Sequence, residues 1–175
     1  MISETTIIAY DAYKNDIVLF ASKCLDISLT DDQIKTLSKF KEKWYGYNFL
    51  IMEKDDLALL TSIVALNEVL FNQDKTVLFV SYKQNDCDVT KKTLIDIFDN
   101  LPKWLQCDGM RIDKNSITLS NNSTIVFSQE NIINDINPNI LVLNKFDSFV
   151  GYKNKTEIVN SALSLPECRI IKINE

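Results

Sequence analysis

Histidine is absent from this 175-residue chain and arginine nearly so, since only Arg111 and Arg169 stand among nineteen basic residues. The first absence removes the commonest general acid/base and metal ligand. The second removes the side chain best suited to phosphate forks and to fingers that act on a γ-phosphate. Glycine and proline occur three times each, and no linker or low-complexity stretch is evident. No apolar run is long enough to span a bilayer and no signal-peptide pattern opens the chain, which reads as soluble and intracellular. The cysteines, Cys24, Cys87, Cys107 and Cys168, form no CxxC pair and no metal spacing. They read as free buried thiols. A net charge of −5 leaves no electrostatic footprint for nucleic acid.

What is present is a globular composition, 46% apolar and 25% charged, at a length that suits one domain with a real core. The first fifteen residues carry no clear period and read as an N-terminal arm. Apolar residues at helical spacing (Ile17, Phe20, Ala21, Cys24) predict a helix over Asn15–Leu25, capped by Asn15 or Asp16. Thr30 or Asp31 caps a second helix to about Lys43, burying Ile34, Leu37 and Phe40. Tyr47–Met52 reads as a short strand, and Leu57–Phe71 as an amphipathic helix. Thr76–Ser81 is a continuous apolar run of the kind buried on both sheet faces. A helix over about Asn85–Asn100 presents Val89, Leu94, Ile97 and Phe98, and Pro102 interrupts the chain beyond it. Ser116–Ser120 and Thr124–Ser128 alternate and form a hairpin around Asn121-Asn122-Ser123. Asn139–Leu143, a helix near Thr156–Leu163 and the strand Arg169–Ile173 complete the order. Helices alternating with apolar strands predict a three-layer α/β sandwich with a mainly parallel sheet and an inserted hairpin. The ligand site of such a sheet lies beyond the carboxyl ends of its strands.

One of those ends should carry a phosphate loop. Between Tyr47–Met52 and the helix from Leu57, a nucleotide-binding chain places G-x-x-x-x-G-K-[ST], whose glycines let backbone amides approach phosphate while the lysine reaches the β/γ-phosphates. The junction here is Glu53-Lys54-Asp55-Asp56-Leu57-Ala58. It has no glycine, and its three carboxylates repel a triphosphate.

The segments nevertheless resemble, in order, the ATPase domain of the large terminase subunit of tailed phages, myovirus type, a P-loop NTPase-like fold. Leu29-Thr30-Asp31-Asp32-Gln33 resembles the L-x-x-Y-Q segment, whose glutamine reads adenine. Phe71-Asn72-Gln73-Asp74-Lys75 precedes the second core strand, as in the family. Leu101-Pro102-Lys103-Trp104-Leu105-Gln106 looks like its L-P-x-[FW]-L turn, and Asn115 to Ile125 like its hairpin N-x-S-I-x-L-x-N-G-S-x-I. Ile140-Leu141-Val142-Leu143 followed by Asn144-Lys145 occupies the Walker B slot, which is normally four apolar residues and then Asp-Glu. The likeness covers roughly Asp16 to Glu175.

The departures fall on the chemistry. Aligned to the family, Glu53 stands for a cationic arginine, Lys54 lies beside it, Asp56 replaces a glycine, Leu57 the phosphate lysine and Ala58 the magnesium-binding Ser/Thr. Asn144 replaces the metal-ordering aspartate, and Lys145 the glutamate that activates water. Motor hydrolysis needs phosphate cradle, Mg²⁺ and water-orienting carboxylate together. No cofactor is therefore expected. Lys145 reads as the partner of Glu53, Asp55 or Asp56 across the cleft, or else as a cation standing in for Mg²⁺. Asp147 reads as a solvated loop acid, Gln33 as surface or cap. Asp86 and Asp88 complement a helix dipole, and Lys91-Lys92 is a solvated helix face. Trp44, Tyr45 and Tyr47 beside Lys41 and Lys43 read as packing rather than a base-stacking platform. The resemblance also implies a coupling motif and a nuclease domain beyond Ile170–Ile173, neither of which follows in these 175 residues. The expected function is a non-catalytic terminase-like module, in the cytoplasm of an infected bacterium, that binds a terminase, portal or host protein. The alternatives are a packaging ATPase whose site is rearranged or completed by another chain, and a DNA-binding accessory factor.

Overall fold

The computed structural model describes residues 4–40, 57–106, 109–129, 133–145, 152–165 and 168–173. The predicted strand Tyr47–Met52, the junction residues Glu53, Lys54, Asp55 and Asp56, the aromatic cluster at Trp44, Tyr45 and Tyr47, Asp147 and Cys107 lie outside them.

Among the described residues six strands form one sheet in the order β2-β3-β4-β1-β5-β6. They are β1 (Thr76–Ser81), β2 (Met110–Ile112), β3 (Ser116–Leu119), β4 (Thr124–Ser128), β5 (Ile140–Asn144) and β6 (Arg169–Lys172). The strands β4, β1, β5 and β6 run parallel, while β2–β3 and β3–β4 are antiparallel. The inserted hairpin thus extends a parallel sheet with an antiparallel edge.

Side-chain alternation sorts the central strands between two cores. Val77 and Phe79 of β1, with Ile140 and Val142 of β5, join a cluster with Leu60, Ile63 and Leu66 of α4 (Leu57–Phe71) and Leu94 and Phe98 of α5 (Gln84–Asp99). Leu78, Val80, Leu141 and Leu143 face the other way, onto Ile133 of α6 (Ile133–Ile136) and Ile158 of α7 (Tyr152–Leu163). Both faces of the parallel strands are covered, which is why they read as unbroken apolar runs. The result is the expected three-layer α/β sandwich.

Helix α4 is less amphipathic than its pattern suggested. Thr61, Ser62, Ala65, Val69 and Phe71 are buried with the predicted apolar face, so most of its circumference is core. Its carboxyl end is tied to the hairpin: Asn121 Nδ2 donates to the Val69 and Asn72 carbonyls (2.7 and 3.2 Å), and Ser123 Oγ donates to the Asn72 carbonyl (2.8 Å). Asn122 takes φ +65°, a left-handed conformation that asparagine tolerates, so the turn closes without glycine.

Several expectations need correction. The first residues form a helix, α1 (Glu4–Asn15), which lacks an apolar stripe and is held by aromatics instead. Tyr10 meets Phe71 edge-on at 4.9 Å, and Tyr13 stacks on Trp104 at 6.3 Å. The helix predicted over Asn15–Leu25 begins with Asp16 capping Val18 and Leu19 (α2, Ile17–Leu19) and continues as a π-helical turn, Phe20–Cys24. Helix α3 (Asp31–Lys39) ends before Lys43, and Ile34 lies on its exposed side. In α5, Val89 is 49% exposed, while Cys87 and Thr90 point inward with Leu94 and Phe98. The Thr90 hydroxyl bonds the Asp86 carbonyl (3.0 Å), which satisfies it locally and lets it sit on the buried stripe. Lys91 is not merely solvated: its ammonium donates to the carbonyls of Asp113 and Lys114, the latter at 2.9 Å. Strand β2 and helix α6 had no sequence signal at their lengths of three and four residues.

Candidate functional site

The carboxyl ends of β1 and β5 lie side by side, with Ser81 opposite Asn144 in the ladder. Helix α4 begins nearby, and a cavity of about 330 Å³ opens between them, lined among others by Ala58, Thr61, Asp86, Asn144 and Lys145. Three of the predicted site residues therefore converge: Ala58 from the first turn of α4, Asn144 from the last residue of β5, and Lys145 just beyond it. Leu57 starts α4. Glu53, Lys54 and Asp56 are outside the described residues.

Asp86 is the member that sequence reasoning missed. It sits in the first turn of α5, the position from which an acid complements the helix dipole. Its Oδ1 accepts from Lys145 Nζ at 3.0 Å, and the two side chains are 14% and 16% exposed. The nearly buried Lys145 thus has a described partner 59 residues away; the acids before Leu57 to which it was assigned lie outside the described residues. Lys145 itself has φ +52°, the left-handed region that costs a non-glycine residue of order 1–2 kcal/mol. Among the described residues, Asp86 Oδ2 and Asn144 Oδ1 are buried and accept no hydrogen bond. A buried acceptor without a donor costs about 1–3 kcal/mol, and both residues line the cavity.

Gln33 is not at this cavity. Its Oε1 accepts from the Thr30 amide (2.9 Å), and Thr30 Oγ1 accepts from the Gln33 amide (3.3 Å), forming a capping box on α3. The side chain that the resemblance assigned to adenine closes its own helix start. Cys87 lies next to Asp86 with its thiol directed at the Ser128 carbonyl (3.8 Å). Burial pushes its pKa up, and burial likewise raises Cys24 and Cys168 to about 11. These three thiols are free and suppressed as nucleophiles. No group of three or more His, Cys, Asp or Glu able to hold a metal occurs among the described residues. Nor is any described helix long and apolar enough to cross a membrane.

A second cavity, of about 410 Å³, lies at the opposite end of the sheet, between α4, the α1–α2 junction and the start of β6. The ion pair between Arg169 and Glu68 stands in its wall.

A mainly parallel sheet with helices on both faces and a cleft at the carboxyl ends of β1 and β5 makes this a three-layer α/β domain. Within that class the chain has the fold of the ATPase domain of phage large terminases. It superposes on the large terminase of bacteriophage HK97 with a TM-score of 0.71 and 13% identity, over 92% of this chain and 37% of that one. On the ATPase domain of the Thermus phage P74-26 large terminase the TM-score is 0.69 at 8% identity, over 91% of this chain and 69% of that domain. This chain therefore spans little more than a third of the HK97 protein. No protein-family model and no curated protein matches the sequence.

Proposed function

We propose that this chain is a terminase-like domain that has lost ATP hydrolysis and acts as a non-catalytic interaction or regulatory module linked to DNA packaging. The observation that carries the reading is the Asp86–Lys145 ion pair at the carboxyl end of β5. The resemblance puts a metal-ordering aspartate and a water-activating glutamate where Asn144 and Lys145 stand. An amide and a cation already engaged with a carboxylate supply neither role. Ala58, in the first turn of α4, adds no hydroxyl for a metal. Mg²⁺ and a triphosphate do not fit this set. Single losses of such groups commonly cost about a hundredfold or more in rate, and here they occur together.

A protein partner suits a retained scaffold without chemistry. The terminase itself, the portal and a host protein are the candidates, met in the cytoplasm of an infected bacterium. The test is calorimetric titration of the purified chain with ATP and a slowly hydrolysed analogue, with and without Mg²⁺. No heat at millimolar nucleotide is expected. Micromolar binding overturns the reading in favour of a rearranged packaging ATPase, and Lys54 and Lys145 then become the residues to substitute.

A further inference from the structure

The disagreement between the cleft and a divalent cation has a structural origin in one side chain. Asp86 carries one oxygen bonded to Lys145 Nζ at 3.0 Å and a second, buried, with no donor among the described residues. Asn144 adds a buried amide oxygen, also without a donor. The hydroxyl-bearing Thr61 and Thr90 line the same cavity. Carboxylate, amide carbonyl and hydroxyl oxygens are the donors that hard divalent cations take. The positive charge among them is supplied by the chain itself.

We propose that Lys145 is a tethered internal cation that occupies this oxygen-lined cleft and excludes divalent metal from it. The inference rests on the reading of the domain as non-catalytic and gives that reading a mechanism at the level of one ammonium group. A tethered group competes at an effective concentration set by its short linkage rather than by the solution. Lys145 is held in place doubly, by the ion pair and by a left-handed backbone that persists only where its surroundings over-determine it. An ammonium offers three directional donors, and neither Asp86 Oδ2 nor Asn144 Oδ1 receives one of them. With the ammonium removed, the Asp86 carboxylate is left uncompensated in a cavity that Asn144 also lines, and a hydrated divalent cation restores the charge balance.

The experiment uses Mn²⁺ as probe, without nucleotide, followed by spin resonance of the free ion and by melting temperature. K145A, K145Q and wild type are compared, with D86N/K145A as control. The expected result is no saturable binding by wild type. K145A and K145Q should bind at least about tenfold more tightly, within the about 10⁻⁴–10⁻³ M range of weak oxygen sites. Both variants deprive Asp86 of its partner and should melt lower, so Mn²⁺ should raise their melting temperatures and leave wild type and D86N/K145A unmoved. Equal binding by wild type overturns the proposal, as does failure of Mn²⁺ to bind or restore K145A and K145Q, or binding that survives D86N. Nucleotide binding by wild type is a separate outcome, which defeats the non-catalytic reading whatever Mn²⁺ does.

Discussion

Replacing Lys145 by methionine tests whether the Asp86–Lys145 pair is as buried as its geometry says. At 3.0 Å and an effective dielectric near 20, the gross attraction is about 5.5 kcal/mol. Withdrawing each ion from water costs several kcal/mol, so the intact pair contributes little net stability. Breaking it is a different matter. In K145M the ammonium is gone while the carboxylate remains 14% exposed, with neither oxygen paired among the described residues. A lone buried charge of this kind costs about 3–5 kcal/mol. For a domain of this length that is a fall in melting temperature of about 6–20 °C. D86L/K145M removes both charges and keeps apolar bulk, so its stability should return to within about 1 kcal/mol of wild type or exceed it. Urea unfolding of wild type, K145M, D86L and D86L/K145M closes the cycle, with an unchanged m-value as the check on two-state behaviour. A K145M cost below about 1 kcal/mol, the range of exposed pairs, would show the pair to be solvated. A double mutant no better than K145M would show that packing, not charge, sets the cost. Either result refutes the reasoning.

Two further outcomes concern side chains elsewhere in the fold. N121A removes the donor to the Val69 and Asn72 carbonyls and the acceptor for the Ser123 amide (3.0 Å). At about 1 kcal/mol per hydrogen bond, it should cost about 2–3 kcal/mol in urea denaturation, and a loss under about 0.5 kcal/mol would show that water replaces these bonds. The thiols give an alkaline limit. Cys24 and Cys168 are raised by burial from the ordinary 9.0 to about 11, so the native state keeps protons that the unfolded chain releases. Their contribution is complete below pH 9 and lost as pH rises through 11. Stability should therefore decline across that window, and C24A/C168A should flatten the decline. A profile unchanged by the substitutions refutes the assignment.

The legibility of the sequence differed between elements for physical reasons. The buried strands Thr76–Ser81 and Ile140–Asn144 were recognisable because both their faces are core. Helix α4 was placed to its final residues because its apolar content is so dense. The inward face of α5 was misjudged because it uses a thiol and a locally bonded hydroxyl, Cys87 and Thr90, while Val89 faces out. Helix α1 was missed because aromatic contacts with Phe71 and Trp104 hold it, and such tertiary contacts leave no local period. At the site, Ala58, Asn144 and Lys145 were identified by their position in a known order of segments. Asp86 was not, because nothing along the chain marks which acid, 59 residues away, will face a lysine across a sheet. Gln33 was assigned two roles, and the capping box on α3 matches the local one.

The inserted hairpin has a consequence for how the molecule meets its neighbours. Among the described residues it ends the sheet in β2, a strand of three residues. A long bare strand edge is a template on which another chain can add its own strand. Here the template is short, and its middle residue is Arg111, 78% exposed at the side chain and paired with Asp113 at 3.0 Å. An incoming strand would find few backbone groups to pair with and a charged side chain in its path. The hairpin that departs from the parallel core thereby leaves little strand edge at this border for another chain to extend.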